Sequence, residues 1–483
     1  MYKKNFESTA KFIHELTQEE VTISNSPFKK KEGQFVFDKS LLSFLLYPRD
    51  ISESLNCLIL NPTWYDSLEV DMKSGSYVVS QTFLELPNRF IEGDSYTCSV
   101  QFDRLIDPQW DEKIQYFYRY FLPIKSERWL SFIEHIPCYQ DDDIPSTYDS
   151  YRCVGGIRVD LSKERQIHLF SVYMGASLFL AIESQFPCTY GEMSDYMHTI
   201  SLSLGLVTSV APFDYAYIVA SETPDFEGKI MSGMIRLRPT IRVQYKLQFS
   251  APIKEKDFAK LVLMLHRNKN LARATMMLLV ASLDIDNMGP TYSVVLETIC
   301  SVLCKENKDF FKPFLVEKGW GSDFKKNGEK LTKPFELQQI AYELSDAEKK
   351  IIKTRNNFLH GGITEEGKES MEKLLYIGME LRKLCGILLL RYSGYKGPIL
   401  NNAVEMGLKG AIANKEPLFI TYDEEAAKEL VKKWKKEKQK EEEKKKKQSQ
   451  GKNNKQSQGK NSTRKNQGKE KSPQPTKEPE ASV

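Results

Sequence analysis

One short string carries the side chains best suited to chemistry, and it reads Arg-Asn-Asn-Phe-Leu-His-Gly-Gly from residue 355 to residue 362. It supplies a guanidinium at Arg355, an amide at Asn356 and an imidazole at His360. An RNA phosphodiester attacked by its own 2′-hydroxyl needs a base for that proton, an acid for the leaving oxygen and positive charge on the phosphorane. Histidine and arginine can provide all three, so the string indicates phosphodiester transfer without a metal.

The spacing of arginine and histidine is weak evidence by itself. Arg128 and His135 have a comparable separation, in a segment that we expect to form a strand or short helix with Trp129 and Phe132 in a core. A loose pattern of this kind arises often by chance. The surrounding elements must therefore decide which match matters.

The elements around Arg355 favour a functional role. A capping box at Ser345–Glu348 predicts the start of a helix, and Gly361–Gly362 predicts its end. The helix has one apolar face, formed by Ile351, Ile352, Phe358 and Leu359. At about 100° per residue, Arg355 projects from the middle of that face, with Asn356 and His360 together at one side of it. These three side chains are predicted to line one rim.

A structural interpretation stays open beside this one: Arg355 extends to solvent, Asn356 lies on the surface and His360 closes the helix. A second helix, Thr291–Cys304, favours the functional interpretation, because it is predicted to be apolar nearly all round with Glu297 as its one acid. A lone glutamate is rarely buried without a partner. We expect Glu297 to pair with Arg355 and to hold its guanidinium in a fixed orientation.

Residues from about 255 to 395 resemble a HEPN domain of the ApeA-like type, on the string from Arg355 to Gly361 and the acid-bearing helix before it. The resemblance implies an antiparallel helical bundle and a metal-free endoribonuclease, in which Arg355, Asn356 and His360 are catalytic and Glu297 supports Arg355. It also implies an RNA substrate, a homodimer with two facing motifs, and a place in antiviral defence or a toxin system. Some relatives are inactive scaffolds, so a non-catalytic scaffold or sensor is the alternative.

The chain is predicted to be α+β, with four parts. Residues 1–252 are expected to form an antiparallel β-rich sandwich or barrel, because period-two alternation is frequent there and is clearest at Ile241–Phe249. Further strands are predicted at Gln34–Phe37, Cys57–Leu60, Tyr77–Leu86, Tyr96–Phe102, Ile114–Leu122, Val154–Leu161, His168–Leu180 and Tyr215–Ala220, with a short amphipathic helix near Glu192–Leu204. What this region senses is left open: a ligand, a phage component or an RNA.

Residues 253–400 are predicted to form the HEPN-like helical bundle, and residues 401–431 connect it to the tail. Apolar positions recur at helical spacing in five segments. They are Phe258–Leu265, Leu271–Ala281, Thr291–Cys304, the helix that carries Arg355, and a last long helix from Met371 to Arg391 that ends before Gly394.

Residues 432–483 are predicted to be a disordered, lysine-rich tail. From Lys432 to Lys471 there are 17 Lys and Arg against five Glu, an excess of 12 positive charges; the whole chain carries only +4, which leaves −8 for the rest. With no apolar residue between Trp434 and the last few positions, this segment cannot form a core. It could attract RNA phosphates or simply keep the protein in solution.

The remaining composition bounds the class of protein. The eight cysteines are scattered, which predicts free thiols in a reducing compartment. Cys300 and Cys304 are four residues apart but lack further ligands, so buried packing is favoured over a metal site. We expect no metal or other cofactor. No apolar run reaches the roughly 20 residues that cross a bilayer, so a cytoplasmic protein without membrane contact is predicted.

Overall fold

The protein is described from a computed structural model, and its fold is mixed α+β. The described residues are 20–23, 31–38, 41–46, 65–72, 75–85, 98–101, 104–124, 131, 133–134, 152–174, 177–208, 216–223, 231–235, 252–281, 285–316, 324, 328–359, 371–430, 432, 435–436, 439–440 and 443. The predicted strands Cys57–Leu60 and Ile241–Phe249 lie outside these residues. So do Arg128, Trp129, Phe132 and His135.

Seven strands lie in the first part of the chain. They are β1 (Glu20–Ile23), β2 (Lys31–Asp38), β3 (Leu41–Leu46), β4 (Tyr65–Met72), β5 (Gly75–Glu85), β6 (Cys98–Gln101) and β7 (Arg104–Ile106). Neighbours pair antiparallel in the order β7-β5-β4-β1-β2-β3-β6, and β5 also pairs with β6. The choice between a sandwich and a barrel stays a prediction.

The next strands form the part of the sheet that carries the core. They are β8 (Phe117–Pro123), β9 (Ile133–Glu134), β10 (Arg152–Asp160), β11 (Gln166–Met174), β12 (Ser177–Ser184), β13 (Ala216–Ser221), β14 (Met231–Ile235) and β15 (Ile253–Lys254). Five of them are antiparallel in the order β10-β11-β12-β8-β13, and β14 links this group to β7 in one sheet. The short β15 instead pairs parallel with β9.

Ten α-helices and two more strands complete the elements that the described residues contain. The helices are α1 (Tyr190–Thr208), α2 (Glu255–Arg267), α3 (Lys269–Val280), α4 (Ile285–Glu306), α5 (Lys308–Phe311), α6 (Glu329–Thr332), α7 (Asp346–Leu359), α8 (Met371–Tyr392), α9 (Asn402–Glu405) and α10 (Lys409–Ala413). Short 3₁₀ turns follow α5 and α6, at Lys312–Phe314 and Lys333–Glu336. The strands β16 (Ile399–Leu400) and β17 (Phe419–Ile420) pair antiparallel.

One apolar core runs from the sheet into the helices. Tyr118 and Leu180 on the sheet and Met197 on α1 belong to the same cluster of buried side chains as Leu261 on α2 and Leu296 on α4. The core is therefore continuous across residues 252 and 253, and the predicted domain boundary there stays a prediction. The predicted disordered tail, residues 432–483, lies almost entirely outside the described residues.

The predicted elements are partly confirmed. The strands over Gln34–Phe37, Tyr77–Leu86, Tyr96–Phe102, Val154–Leu161 and Tyr215–Ala220 correspond to β2, β5, β6, β10 and β13, and the five long helices after residue 253 are present as α2, α3, α4, α7 and α8. That these helices form a HEPN bundle stays a prediction.

Three predictions about individual elements were wrong. The predicted strand His168–Leu180 is an antiparallel hairpin of β11 and β12, in which Met174 lies opposite Ser177. Its turn signal, Gly175, was overlooked within a run of β-forming residues. The strand β8 begins at Phe117, because Ile114 lies in an exposed turn. The helix α1 has 19 residues and is buried along most of its length, so it is not a short amphipathic helix.

Across the described part of the chain, none of the helices combines the length and the apolar character needed to pass through a membrane.

Candidate functional site

The helix α7 begins where its capping box predicts. The Ser345 backbone N–H donates to Glu348 Oε2 at 2.8 Å, and the Glu348 N–H donates to Ser345 Oγ at 3.2 Å. These reciprocal bonds satisfy amide groups that have no partner within the helix. Because Ile351 and Ile352 are buried on one face of α7, the helix is held in a fixed rotation, which sets the direction of Arg355 one turn later.

Arg355 points towards α4 and contacts the predicted acid. Its Nη1 lies 3.3 Å from Glu297 Oε2, and its side chain is 12% exposed. The predicted contact between Glu297 and Arg355 is therefore confirmed. The role assigned to this contact, holding the guanidinium for catalysis, stays a prediction.

The surroundings of Glu297 differ from the sequence prediction. Its side chain is 42% exposed, and Val294, one turn earlier, is 40% exposed. The helix α4 is thus not buried all round, because α3, α7 and α8 cover only part of its surface. Glu297 is consequently an acid at the edge of solvent, and its pairing is not forced by burial.

Lys330, on the short helix α6, is a second partner that the sequence did not indicate. Its Nζ lies 3.5 Å from Glu297 Oε1, whereas Arg355 contacts Oε2 of the same carboxylate. We call Arg355, Glu297 and Lys330 the Arg355 cluster. With two cations and one carboxylate it carries one net positive charge, which favours an anion such as phosphate.

Two thiols lie beneath this cluster and are inert. Cys300 and Cys304 are both buried, and their Sγ atoms lie 3.9 Å and 4.0 Å from the backbone oxygens of Leu331 and Lys330. Burial raises the pKa of the Cys304 thiol to about 12, so it stays protonated at neutral pH. Packing rather than reactivity explains both residues. Among the described residues no group of His, Cys, Asp and Glu is arranged to hold a metal ion.

The other predicted site residues are only partly described. The backbone of Asn356 belongs to α7, but its side chain, together with His360, Gly361 and Gly362, lies outside the described residues. The structure thus brings Glu297 to Arg355 and adds Lys330. The convergence of Arg355, Asn356 and His360 on one rim stays a prediction.

A second charged cluster lies inside the helical region, and the sequence interpretation missed it. Lys383 Nζ lies 2.6 Å from Glu380 Oε2 and 3.0 Å from Glu348 Oε1 and from Glu416 Oε2. We call these four residues the Lys383 cluster. The lysine side chain is only 4% exposed. A signal was present, because Glu380 and Lys383 interrupt the apolar run of α8, and charged residues are rarely buried unless they are paired.

A buried ion pair also lies within the described part of the sheet. Arg119 Nη2 on β8 lies 2.6 Å from Glu183 Oε2 on β12, and Gln185 Nε2 donates to the other Glu183 oxygen at 2.6 Å. On the neighbouring strand, burial lowers the pKa of His168. This pair joins two central strands, and its oxygens are occupied within the protein, which indicates a structural role.

No family model, curated protein or solved structure matches this chain.

Proposed function

We propose that this protein is a metal-independent endoribonuclease of the HEPN type. The single observation that carries the proposal is the contact between Glu297 and Arg355, which joins two helices at the string that resembles the HEPN motif. An arginine held by a carboxylate has a defined orientation and keeps its charge under all physiological conditions. Such a group can stabilise the negative charge that develops on a phosphorane without moving during the reaction.

The proposed reaction is an internal transfer at phosphorus. The 2′-oxygen forms a bond to phosphorus, the bond from phosphorus to the 5′-oxygen breaks, and one proton passes from the 2′-hydroxyl to the leaving oxygen. His360 takes or returns that proton, Arg355 neutralises the phosphorane, and Asn356 orients the phosphate or the histidine. The products are a 2′,3′-cyclic phosphate and a 5′-hydroxyl.

Positive charge outside the reacting centre supports binding of RNA. Lys330 is 39% exposed beside Glu297, so it presents an ammonium group close to Arg355. The tail adds an excess of 12 positive charges between Lys432 and Lys471. Lysine contacts to phosphates are independent of sequence and weaken with salt. We propose a single-stranded or tRNA-like substrate, recognised in part through this charge.

The biological setting follows from the same resemblance. We propose a homodimer with the two motifs facing each other, in the cytoplasm, as part of antiviral defence or a toxin system. In this scheme the β-rich region before residue 253 senses a phage-derived or other trigger. A nuclease of this kind is toxic to its own cell, so such control is required.

One observation favours a second candidate function, a non-catalytic HEPN scaffold whose β-rich region binds a ligand or partner. Arg355 is largely buried, and its Nε has no hydrogen-bond partner among the described residues. An arginine with the purely structural role of joining α7 to α4 would be buried in this way. The two candidates differ in whether His360 is needed for cleavage.

Full-length protein incubated with single-stranded RNA in excess EDTA tests the proposal. We expect cleavage that leaves a cyclic phosphate, and its loss in His360→Ala with an unchanged melting temperature. His135→Ala is the matched control, because His135 belongs to the other arginine and histidine match, and it should cleave normally. Cleavage that depends on added magnesium, or that survives in His360→Ala, would contradict the enzyme and favour the scaffold.

A further inference from the structure

The Lys383 cluster contains more negative charge than its surroundings can hold. Three carboxyl groups surround one ammonium, so four ionised side chains would leave two uncompensated negative charges. Glu380 is 0% exposed, Glu348 is 4% exposed and Glu416 is 12% exposed. Uncompensated charge in such a place is strongly destabilising, and neighbouring carboxyl groups relieve the repulsion by sharing a proton.

The three carboxyl groups differ in the number of hydrogen bonds that they accept. Glu348 accepts from the Tyr342 hydroxyl at 2.6 Å, and from the Ser345 N–H at 2.8 Å and hydroxyl at 3.0 Å. Its two oxygens therefore have three donors besides Lys383. A carboxylate that accepts this many bonds is stabilised in its charged form.

Glu416 is stabilised in the same way. It accepts from the Tyr376 hydroxyl at 2.6 Å and from Asn401 Nδ2 at 2.8 Å, in addition to Lys383. Burial acts to raise its pKa, but Lys383 and these donors outweigh burial and hold the pKa at about 2. Glu416 is thus ionised at neutral pH.

Glu380 differs from both. Its Oε2 accepts from Lys383, while its Oε1 is buried without a donor among the described residues. The carboxyl groups of Glu380 and Glu416 are neighbours, because an oxygen of each contacts the same Lys383 Nζ, at 2.6 Å and 3.0 Å. Two ionised carboxylates cannot bond to each other, but a proton on Glu380 would turn the unpartnered oxygen into a donor. Burial and the adjacent Glu416 raise the pKa of Glu380 to about 8, against the opposing effect of Lys383.

We propose that Glu380 is protonated at neutral pH and that its O–H donates a hydrogen bond to the Glu416 carboxylate. This buried hydrogen bond, which we call the clasp, holds residues 399–420 against α8. The geometry gives the clasp its location, because Glu380 belongs to α8 while Glu416 and Asn401 belong to the segment that packs against it. In alkaline solution the O–H bond of Glu380 breaks, the electron pair stays on its carboxylate and the proton passes to hydroxide. Glu416 lines a cavity of about 260 Å³, which gives the proton a route out.

Charged and titratable side chains from several elements surround Glu380 among the described residues. They are Lys383 and Tyr376 on α8, Glu348 on α7, Tyr342 before α7, and Glu416 after α10. Burial raises the pKa of both tyrosines, so neither is ionised near neutral pH. Lys383 also stays charged, because the three carboxyl groups raise its pKa despite its burial. Glu380 is therefore the member of the cluster that changes charge in mildly alkaline solution.

The pH dependence of unfolding tests the proposal in the full-length chain. A folded pKa of about 8 against an ordinary value of 4.5 means that the folded state binds the extra proton between these pH values. The stabilisation by Glu380 is complete below its unfolded pKa and is lost as the pH rises towards 8. The unfolding constant of the wild type, divided by that of Glu380→Gln, should therefore rise up to about tenfold per pH unit across this range. The ratio of the two unfolding constants cancels the pH dependence that both proteins share.

Glu348→Gln is the matched control, because Glu348 contacts the same lysine but bonds to Tyr342 and Ser345 outside the proposed contact, and it should keep the wild-type slope. A Glu380→Gln variant with the wild-type slope would overturn the proposal. If that variant does not fold, infrared spectroscopy of the wild type at neutral pH decides instead. A buried protonated carboxyl band that disappears on alkalinisation supports the clasp, and absence of the band overturns it.

Amide hydrogen exchange locates the effect. After correction for intrinsic rates, exchange in residues 399–420 should speed up between about pH 7 and pH 9, while exchange in α2 should not. Equal changes in both segments, or none in residues 399–420, would overturn the assignment of the proton to this contact.

Discussion

Two clusters of charged side chains are attached to α7 about two helix turns apart, at Glu348 and Arg355, and they differ in charge balance and in burial. In the Lys383 cluster the ammonium is almost entirely buried and is surrounded by three carboxyl groups. In the Arg355 cluster one carboxylate is 42% exposed and is shared by two cations at 3.3 Å and 3.5 Å. The first cluster has an excess of acid and is largely buried. The second has an excess of cation and is partly exposed to solvent.

This difference separates a structural role from a functional one. A buried ion pair contributes little net stability when complete, but removal of one partner leaves a desolvated charge and is costly. A half-exposed pair contributes little in either case, because water screens it. Mutations of the Lys383 cluster should therefore change folding. Mutations of the Arg355 cluster should leave folding nearly unchanged and alter whatever the cationic surface binds.

The largest effect is expected from Lys383→Met. This substitution keeps most of the side-chain volume but leaves the buried carboxyl groups without their cation. We expect a loss of roughly 3 to 5 kcal/mol in the free energy of unfolding, measured by urea denaturation. Glu416→Gln in the same background should recover part of the loss, because it removes one ionised carboxylate. A loss below about 1 kcal/mol in Lys383→Met would contradict the contrast between the clusters.

The next effect is expected on activity and comes from Glu297→Gln. The amide keeps the shape of the carboxylate but weakens its hold on Arg355. A hydrogen bond to a charged group is worth about 1.5 kcal/mol at the lower end, which suits this exposed position and corresponds to roughly a tenfold loss of kcat in RNA cleavage. KM and the melting temperature should change little. A fall in melting temperature that accounts for the loss of activity would show that Glu297 is only structural.

A smaller effect is expected from Ser345→Ala, which removes the capping hydroxyl at the start of α7. The expected cost is about 1 kcal/mol of unfolding free energy. Because Glu348 keeps its bonds to Lys383 and Tyr342, the position of Arg355 should persist and the rate of RNA cleavage should not change. If cleavage falls while the fold is intact, the two clusters are coupled through α7.

The smallest effect on stability is expected from Lys330→Gln, within about 0.5 kcal/mol, because the pair with Glu297 is exposed. Binding of a 2′-O-methylated RNA should weaken and become less dependent on salt, since one phosphate contact is lost. Lys349→Gln, at an exposed lysine 3.4 Å from Asp346 on the same helix as Arg355, is the control. If Lys330→Gln and Lys349→Gln bind the RNA equally well and with the same salt dependence, Lys330 does not contact the RNA.

Local patterns in the sequence predicted several features correctly. The capping box at Ser345 and the five long helices follow from residue types at short spacing along the chain. The contact between Glu297 and Arg355 was expected because each is a charged residue on a mostly apolar helix face. The hairpin of β11 and β12 was missed because β-forming residues on both sides of Gly175 resembled one continuous strand. The mixed α+β class was clear, since period-two and helical patterns occupy different parts of the chain.

The sequence by itself determined which residues can do chemistry and on which helix face Arg355 lies, because helix geometry relates neighbours within a few positions. Only the tertiary structure decided which charges share an environment. Glu348, Glu380 and Glu416 are far apart along the chain and meet at Lys383, and Lys330 reaches Glu297 from a separate short helix. Burial and long-range proximity arise from packing, so they set the protonation of Glu380 and the exposure of Glu297, which no local pattern encodes.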